Sequence, residues 1–427
     1  MSAIESGSYT DFSLIVHGKA GVTRVPVNGT IEVTNRCPLE CKHCYNNLPM
    51  GDFVARAREM TLDEHKRLLD ELADLGCLWL LFSGGEIFAR RDFLDIYAYA
   101  KRKGFLITLF TNGTLITEKI ADFLADLRPF TIEITLYGGT KETYEKLTGI
   151  PGSYDRCMRG IDLLLSRKLP LKLKTVALSI NKHEIPLMRQ MAADRGCEFT
   201  FDAMINPRID CSASPLAVRL KPSEIVELDL DNPDRVSEWR RLARDHPSAP
   251  YVPGKSRPVY ECGGGTNSFA VDPYGDLSIC VLSHVDRYNV REGNFREGWE
   301  EYILAVRQRE ITRPTKCTGC GIKSMCGMCA ANGELENGDA EAPVDFLCQV
   351  AHLRAETLDI TVPAHGDCEY CVGGIKHDLV REAAEALKSG EAERIAAIPY
   401  EPVTRPAVSG CGTGGCDSCS ISSAVGV

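Results

Sequence analysis

Cys37, Cys41 and Cys44 stand in Thr34-Asn35-Arg36-Cys37-Pro38-Leu39-Glu40-Cys41-Lys42-His43-Cys44-Tyr45, a C-x3-C-x2-C spacing. Such spacing gathers three thiolates on one tight loop, one fewer than the four cysteines that close an ordinary [4Fe–4S] cluster. A cluster held by three ligands keeps one iron open to a substrate or cofactor. The competing reading is a zinc loop, with His43 as a further ligand. Zinc sites usually pair two C-x2-C knuckles, and the triplet has no such partner nearby.

The elements that must position this loop are short β-branched runs. Gly29-Thr30-Ile31-Glu32-Val33-Thr34 reads as a strand leading directly into the triplet. Leu80-Leu81-Phe82-Ser83 is a second strand, running into Gly84-Gly85-Glu86, where glycines permit close backbone approach. Strands ending in turns follow at 106–113, 131–138, 171–177 and 198–201, with helical segments between them. This alternation predicts βα units and a parallel sheet, with chemistry on the loops at the strands' C-terminal ends. Six units fit before residue 210, too few for a closed eight-fold barrel.

The triplet after the first strand and the following Gly-Gly-Glu segment resemble the radical S-adenosylmethionine (SAM) superfamily. His43 fills the slot where that family carries an aromatic residue before its third cysteine. The resemblance implies an α/β fold, a partial (β/α)6 barrel, with Cys37, Cys41 and Cys44 holding the SAM-binding [4Fe–4S] cluster. It implies that Ser83, Gly84, Gly85 and Glu86 contact SAM. Thr111, Asn112, Thr135 and Lys174 lie where relatives contact ribose, adenine or carboxylate, and Asn112 and Thr135 are the favoured pair. Polar and glycine residues are also what these turns need for their own sake.

A second cysteine set starts at Cys262. Twelve residues separate it from Gly275 and four more precede Cys280; then come Cys317-x2-Cys320-x5-Cys326-x2-Cys329 and Cys348. Residues 267–281 read as a hairpin turning at Asp272-Pro273-Tyr274-Gly275, which brings Cys262 and Cys280 to one end. Taken alone, the two C-x2-C knuckles also suit a zinc ribbon. The full order resembles the SPASM domain of radical SAM enzymes, departing only in the last spacing, x2 for x3. By that resemblance Cys317, Cys320, Cys326 and Cys348 close an outer auxiliary [4Fe–4S] cluster, and Cys262, Cys280 and Cys329 hold an inner one. No cysteine stands just before Cys262, so the inner cluster has an open iron or is closed by Glu261 or a distant cysteine.

These motifs divide the chain into an extension (1–27), a radical SAM core (28–211), a bridge (212–258) with one helical stretch from Ser223 to Arg244, a SPASM domain (259–355) and a tail (356–427). The tail carries Cys368, Cys371, Cys411, Cys416 and Cys419 and a charged helix near 377–398. It reads as a flexible Gly/Ser-rich end or as a further metal or redox element. Cys77, Cys157, Cys197 and Cys211 are isolated and read as packed thiols.

With 427 residues, 44% of them hydrophobic and 25% charged, the chain can bury two cores. It has no apolar run of membrane-spanning length and no signal-peptide order, so a cytoplasmic location is expected. A net charge of −10 argues against nucleic acid, which calls for a basic stripe.

The resemblance implies an enzyme that reductively cleaves SAM to a 5′-deoxyadenosyl radical and oxidatively modifies a peptide or protein by crosslink or thioether formation. A flavodoxin- or ferredoxin-like protein would supply electrons. Val281 follows Cys280, where sulfatase maturases place an aspartate base, which disfavours that activity. Only 27 residues precede the first barrel strand, so leader recognition would fall to a separate partner. The alternative is modification of a tetrapyrrole side chain in haem or haem d1 synthesis. A non-catalytic iron–sulfur carrier would need neither the Gly-Gly-Glu segment nor an open iron.

Overall fold

A computed structural model describes residues 8–245 and 256–400. They form two compact units. One contains residues 8–202 and 262–308; the other contains 203–245, 256–261 and 309–400. No helix among the described residues is long and apolar enough to cross a membrane.

The first unit is built on one sheet. Strands β1 (Asn28–Glu32), β2 (Trp79–Ser83), β3 (Leu106–Thr111), β4 (Thr131–Thr135), β5 (Leu171–Val176) and β6 (Glu198–Asp202) run parallel in sequence order. This is the six-unit α/β arrangement expected. The crossovers carry α2 (Leu62–Asp74), α3 (Phe93–Arg102), α4 (Glu118–Asp126), α5 (Lys141–Thr148), α6 (Ser153–Ser166) and α7 (Ile185–Ala193). Side-chain caps start three of these helices. Thr61 and Glu64 form a reciprocal capping box at α2, and Thr117 and Thr140 cap α4 and α5.

Strand alternation separates two faces. Ile31, Leu80, Phe82, Ile107, Leu109, Ile132, Ile134 and Leu173 are buried. The intervening positions Leu81, Ser83, Thr108, Phe110, Glu133, Thr135, Lys172 and Lys174 are only half-buried. A flat parallel sheet covered on both faces would read as continuous hydrophobic runs. The polar second face here belongs to a half-barrel whose inside is left for a ligand.

The sheet does not end at β1. Strand β7 (Ser268–Val271) pairs parallel with β1, Asn28 against Ser268 and Ile31 against Val271, followed by antiparallel β8 (Asp276–Ser278) and β9 (Tyr288–Asn289). The β7–β8 turn is the hairpin expected. Asp272 Oδ1 accepts from the amides of Tyr274 and Asp276, and Gly275 adopts φ +92°. Gly29 makes the β1–β7 approach possible, since a Cβ there would meet the Phe269 ring at 2.2 Å. Residues 262–308 thus complete the core sheet as well as carrying two cysteines.

Helix α1 (Tyr9–Thr23) closes the other end of the strands, with Trp79 Nε1 donating to the Tyr9 hydroxyl at 2.8 Å and His17 stacked on the Trp79 ring. Cys77 and Cys157 are buried, whereas Cys197 and Cys211 are only half-buried.

In the second unit, the single helix anticipated from Ser223 to Arg244 is two, α8 (Pro222–Leu230) and α9 (Pro233–Asp245). Pro233 cannot donate to the preceding turn and is well suited to start a new helix. Helices α10 (Asp345–Thr357) and α11 (His377–Lys388) also belong to this unit. The tail segment 356–400 is a correction to the flexible reading. Cys368, Tyr370, Cys371, Val380 and Leu387 are buried in one cluster with Leu353. Its apolar side chains and α11's one-sided pattern supply a core that its cysteine content conceals. Cys411, Cys416 and Cys419 lie outside the described residues.

Asp229 ties this unit together. Its carboxylate accepts from Arg354 Nε at 2.8 Å and from Arg235 Nη2 at 2.7 Å, and Asp229 and Arg354 are both buried. An Asp229→Ala substitution strands a buried guanidinium and is expected to cost about 3–5 kcal/mol, read from denaturant unfolding.

Candidate iron–sulfur and SAM site

The loop after β1 is held in place by backbone and side-chain bonds. Val33 N donates to Ser83 O at 3.0 Å, Gly85 N to Thr34 O at 2.7 Å and Glu86 N to Arg36 O at 3.0 Å. The Gly84-Gly85 segment therefore lies directly on the residues leading into Cys37. A Cβ on Gly84 would stand 2.1 Å from Thr34 O, and one on Gly85 2.4 Å from Asn35 O. The close approach that makes glycine necessary here is between two loops of the chain itself. Arg36 makes a two-pronged pair with Glu59, at 2.8 and 3.0 Å, and both side chains are buried. The far side of the loop is pinned to the end of α5 by Glu40 N to Thr148 O and Lys42 N to Leu147 O.

Within this frame Cys37 and Cys41 are buried and Cys44 is half-buried. Burial, with the Glu86 charge adding to it, pushes the Cys37 thiol up to about 12. Burial and the other two sulfurs push Cys41 up as well. Two thiols that resist ionising alone, beside the third at Cys44, suit a cationic iron cluster, which stabilises thiolates. The His43 ring lies 5.4 Å from the Tyr137 ring, and desolvation lowers its imidazole to about 4.

Glu86 is buried and bridges to the next strand. Its Oε1 accepts from Thr111 Oγ1 at 2.7 Å, and its Oε2 from Asn112 N at 2.8 Å. Asn112 Nδ2 in turn lies 3.5 Å from Cys37 Sγ. The Gly-Gly-Glu segment, Asn112 and the cysteine loop are therefore one connected assembly at the C-terminal ends of β1–β3. Ser83 and Thr135 sit on the half-buried inner face, as does Lys174. The Lys174 ammonium pairs with Glu133 at 3.1 Å and lies over the Phe110 ring; burial lowers it to about 8.

In the second unit Cys317, Cys320, Cys326 and Cys348 line one small cavity, together with Lys316 and Lys323. The four cysteines expected to share an outer cluster are thus brought together, with two cations to offset thiolate charge. A hydrogen bond from Cys348 lowers the Cys317 thiol to about 7. Cys262 and Cys280 belong to the first unit and Cys329 to the second. A Cβ on Gly264 would lie 3.4 Å from Cys262 Sγ and 2.4 Å from the Ile279 side chain, so the hairpin draws both cysteines toward one end. Glu261, an alternative inner ligand, is engaged by Arg257 at 2.6 Å and Lys323 at 3.0 Å.

Residues 31–192 match the family model described as the radical SAM superfamily. This stretch is a radical SAM domain. It is 28% identical over 329 residues to an AdoMet-dependent heme synthase of Methanosarcina barkeri, covering 72% of this chain and 92% of the relative. It is 27% identical over 357 residues to a PqqA peptide cyclase of Rhodopseudomonas palustris, covering 77% and 88%. The structure of Streptococcus suis SuiB bound to precursor peptide SuiA superposes with a TM-score of 0.59 at 15% identity, over 82% of this chain and 83% of that one. The protein is a radical SAM enzyme with a SPASM-type C-terminal region. Its cofactors are a [4Fe–4S] cluster and SAM, and its C-terminal cysteines fit auxiliary clusters.

Sequence reasoning passed over Glu32 and Tyr45 in this radical SAM domain. Glu32 is buried, and its Oε1 accepts from the Tyr45 hydroxyl at 2.6 Å and Asn46 Nδ2 at 2.8 Å. Burial pushes its carboxyl up to about 7, against the pull of these two donors. A carboxyl raised on folding favours the native state at low pH, and that advantage is lost as pH climbs through 7. Wild type is expected to lose roughly 3 kcal/mol more stability than Glu32→Gln between pH 5 and 8, measured by urea unfolding at each pH. His352 and His365 were also missed. The readable signals were the H-x2-C-x2-C run at 365–371 and the four-residue step from Cys348 to His352.

Proposed function

We propose that this radical SAM enzyme oxidatively modifies a peptide or protein substrate, forming a crosslink or thioether. The match to a PqqA peptide cyclase through most of both chains carries the reading, because it runs beyond the radical SAM domain. Cys37, Cys41 and Cys44 would hold the core cluster, and Ser83, Gly84, Gly85, Glu86, Asn112 and Thr135 would form the SAM-facing surface. When bound, the cluster and SAM supply reductive cleavage to methionine and a 5′-deoxyadenosyl radical, which takes hydrogen from a C–H bond.

The chain's own task is positional. Arg36 and Glu59 fix the loop, Glu86 fixes the turn after β3, and Asn112 directs an amide N–H toward the Cys37 sulfur. Such a bond to a cluster sulfur is one means of tuning its potential. Lys174, Glu133 and Thr135 would line the inner face where substrate is held away from water. Cys317, Cys320, Cys326 and Cys348 would hold an auxiliary cluster that accepts the substrate's electron, and Cys262, Cys280 and Cys329 an inner one. A flavodoxin- or ferredoxin-like reductant and a separate leader-binding protein complete the scheme.

Similarity to the heme synthase, which extends through nearly all of that relative, favours a second reading: tetrapyrrole side-chain modification. The test is anaerobic turnover with SAM and reductant, offering in turn a peptide encoded beside this gene and an iron porphyrin carrying propionate side chains. Peptide-dependent 5′-deoxyadenosine with loss of a hydrogen pair from the peptide supports the proposal. Turnover confined to the porphyrin overturns it in favour of the second reading.

A further inference from the structure

We propose that His352, His365, Cys368 and Cys371 form a mononuclear zinc site, distinct from the iron–sulfur ligands. Among the described residues, this is the set of metal-ligating side chains whose ligand atoms all lie within 4.8 Å of one another. The sulfurs of Cys368 and Cys371 stand 3.5 and 3.6 Å from His352 Nε2. The Cys371 sulfur lies 3.4 Å from His365 Nδ1 and 3.9 Å from Nε2. Zinc bonds of ~2.3 Å to sulfur and ~2.0 Å to nitrogen at tetrahedral angles put neighbouring S and N ligands about 3.5 Å apart. His352 Nε2 already holds that spacing to both sulfurs, and His365 Nε2 stands 3.9 Å from the Cys371 sulfur.

The ring orientations fit as well. His352 Nδ1 lies 2.8 Å from the Cys348 carbonyl and His365 Nδ1 lies 2.9 Å from the Pro363 carbonyl. A carbonyl only accepts, so each Nδ1 carries the proton and each Nε2 is left with its lone pair. This second layer of hydrogen bonds is what orients a metal-bound histidine. All four side chains are buried, as a closed structural zinc site requires. Two thiolates and two neutral imidazoles cancel the charge of one divalent zinc, which suits a buried site.

A two-iron cluster with the same ligand types binds its cysteines to one iron and its histidines to the other. Here each cysteine sulfur is instead in contact with a histidine nitrogen, the mark of a single ion. Cys317, Cys320, Cys326 and Cys348 make a complete four-cysteine set, so neither group needs to borrow from the other. The two are neighbours, because His352, His365 and Cys368 line the same small cavity as those four cysteines. Cys348 and His352 are also one turn apart on α10. The zinc would therefore staple the 365–371 loop to the helix that presents Cys348.

The test is elemental analysis of the full chain after anaerobic iron–sulfide reconstitution, with zinc X-ray absorption on the same sample. The expected result is one zinc per chain with a first shell of two sulfurs and two nitrogens. Cys371→Ala and His352→Ala should each lose most of that zinc while iron per chain is unchanged. A chain without zinc, or zinc with four sulfur neighbours, overturns the proposal, as does loss of iron with retention of zinc in either variant. Should both variants fail to fold, the wild-type zinc count and ligand shell decide alone.

Discussion

A Cys41→Ala variant is expected to lose SAM cleavage while its C-terminal iron remains. Cys41 sits in the middle of the triplet, buried and electrostatically coupled to Cys37 and Cys44. Two sulfurs on a loop cannot hold a cluster against loss in the way three can. Without the cluster no group in the radical SAM domain can pass an electron to SAM. 5′-Deoxyadenosine formation should drop to background, a loss of roughly 10⁶-fold or more given the usual scale of enzymatic acceleration. Iron should fall by the share of one cluster only. Continued cleavage would remove the triplet from the core site, and loss of all iron would mean that the cysteine sets do not load independently.

Gly85→Ala is expected to approach the same outcome without touching a ligand. Its Cβ would stand 2.4 Å from Asn35 O and 2.6 Å from Arg36 O, both backbone atoms that no rotamer change can move. The contact lies where Gly85 N and Glu86 N bind the residues before Cys37. Overpacking of this kind costs about 1–3 kcal/mol, and the cost falls on docking of the cysteine loop. Reconstituted iron is expected to decline from about 12 toward about 8 per chain as the core cluster is lost from a [4Fe–4S] set of three. Gly104→Ala is the control: nothing lies within 4 Å of a Cβ there, and only its own φ of +94° is strained. Equal iron in the Gly85 variant and wild type would show that the loop docks loosely.

The cysteine motifs were readable because their chemistry is local. Cys37, Cys41 and Cys44 share one loop, and each following strand announces itself by β-branched residues and a terminal turn. The grouping of Cys317, Cys320, Cys326 and Cys348 around one cavity was expected from the resemblance their order carries, with a helix supplying the last member. Pairing of β7 with β1 was not readable. It joins segments more than two hundred residues apart, and neither strand's pattern names its neighbour. His352 was hidden for a related reason: α10 is buried almost all round, so a histidine on it resembles any other core position. Glu86 was legible as a residue of the site but not in its contacts, since both its oxygens are taken by partners 25 and 26 residues away.

The parallel pairing of β7 with β1 has a consequence for how the enzyme is born. During translation β1 emerges first, and the cysteine loop follows it at once, but the strand that covers its outer edge is more than two hundred residues behind. At ~5–20 residues per second the edge stays open for roughly ten to fifty seconds. An unpaired edge beside a loop of reactive thiols invites aggregation and oxidation during that interval. A chain cut before residue 262 remains in that condition permanently. Truncation would thus not yield a radical SAM domain relieved of an accessory, but a nascent chain arrested before its sheet is complete.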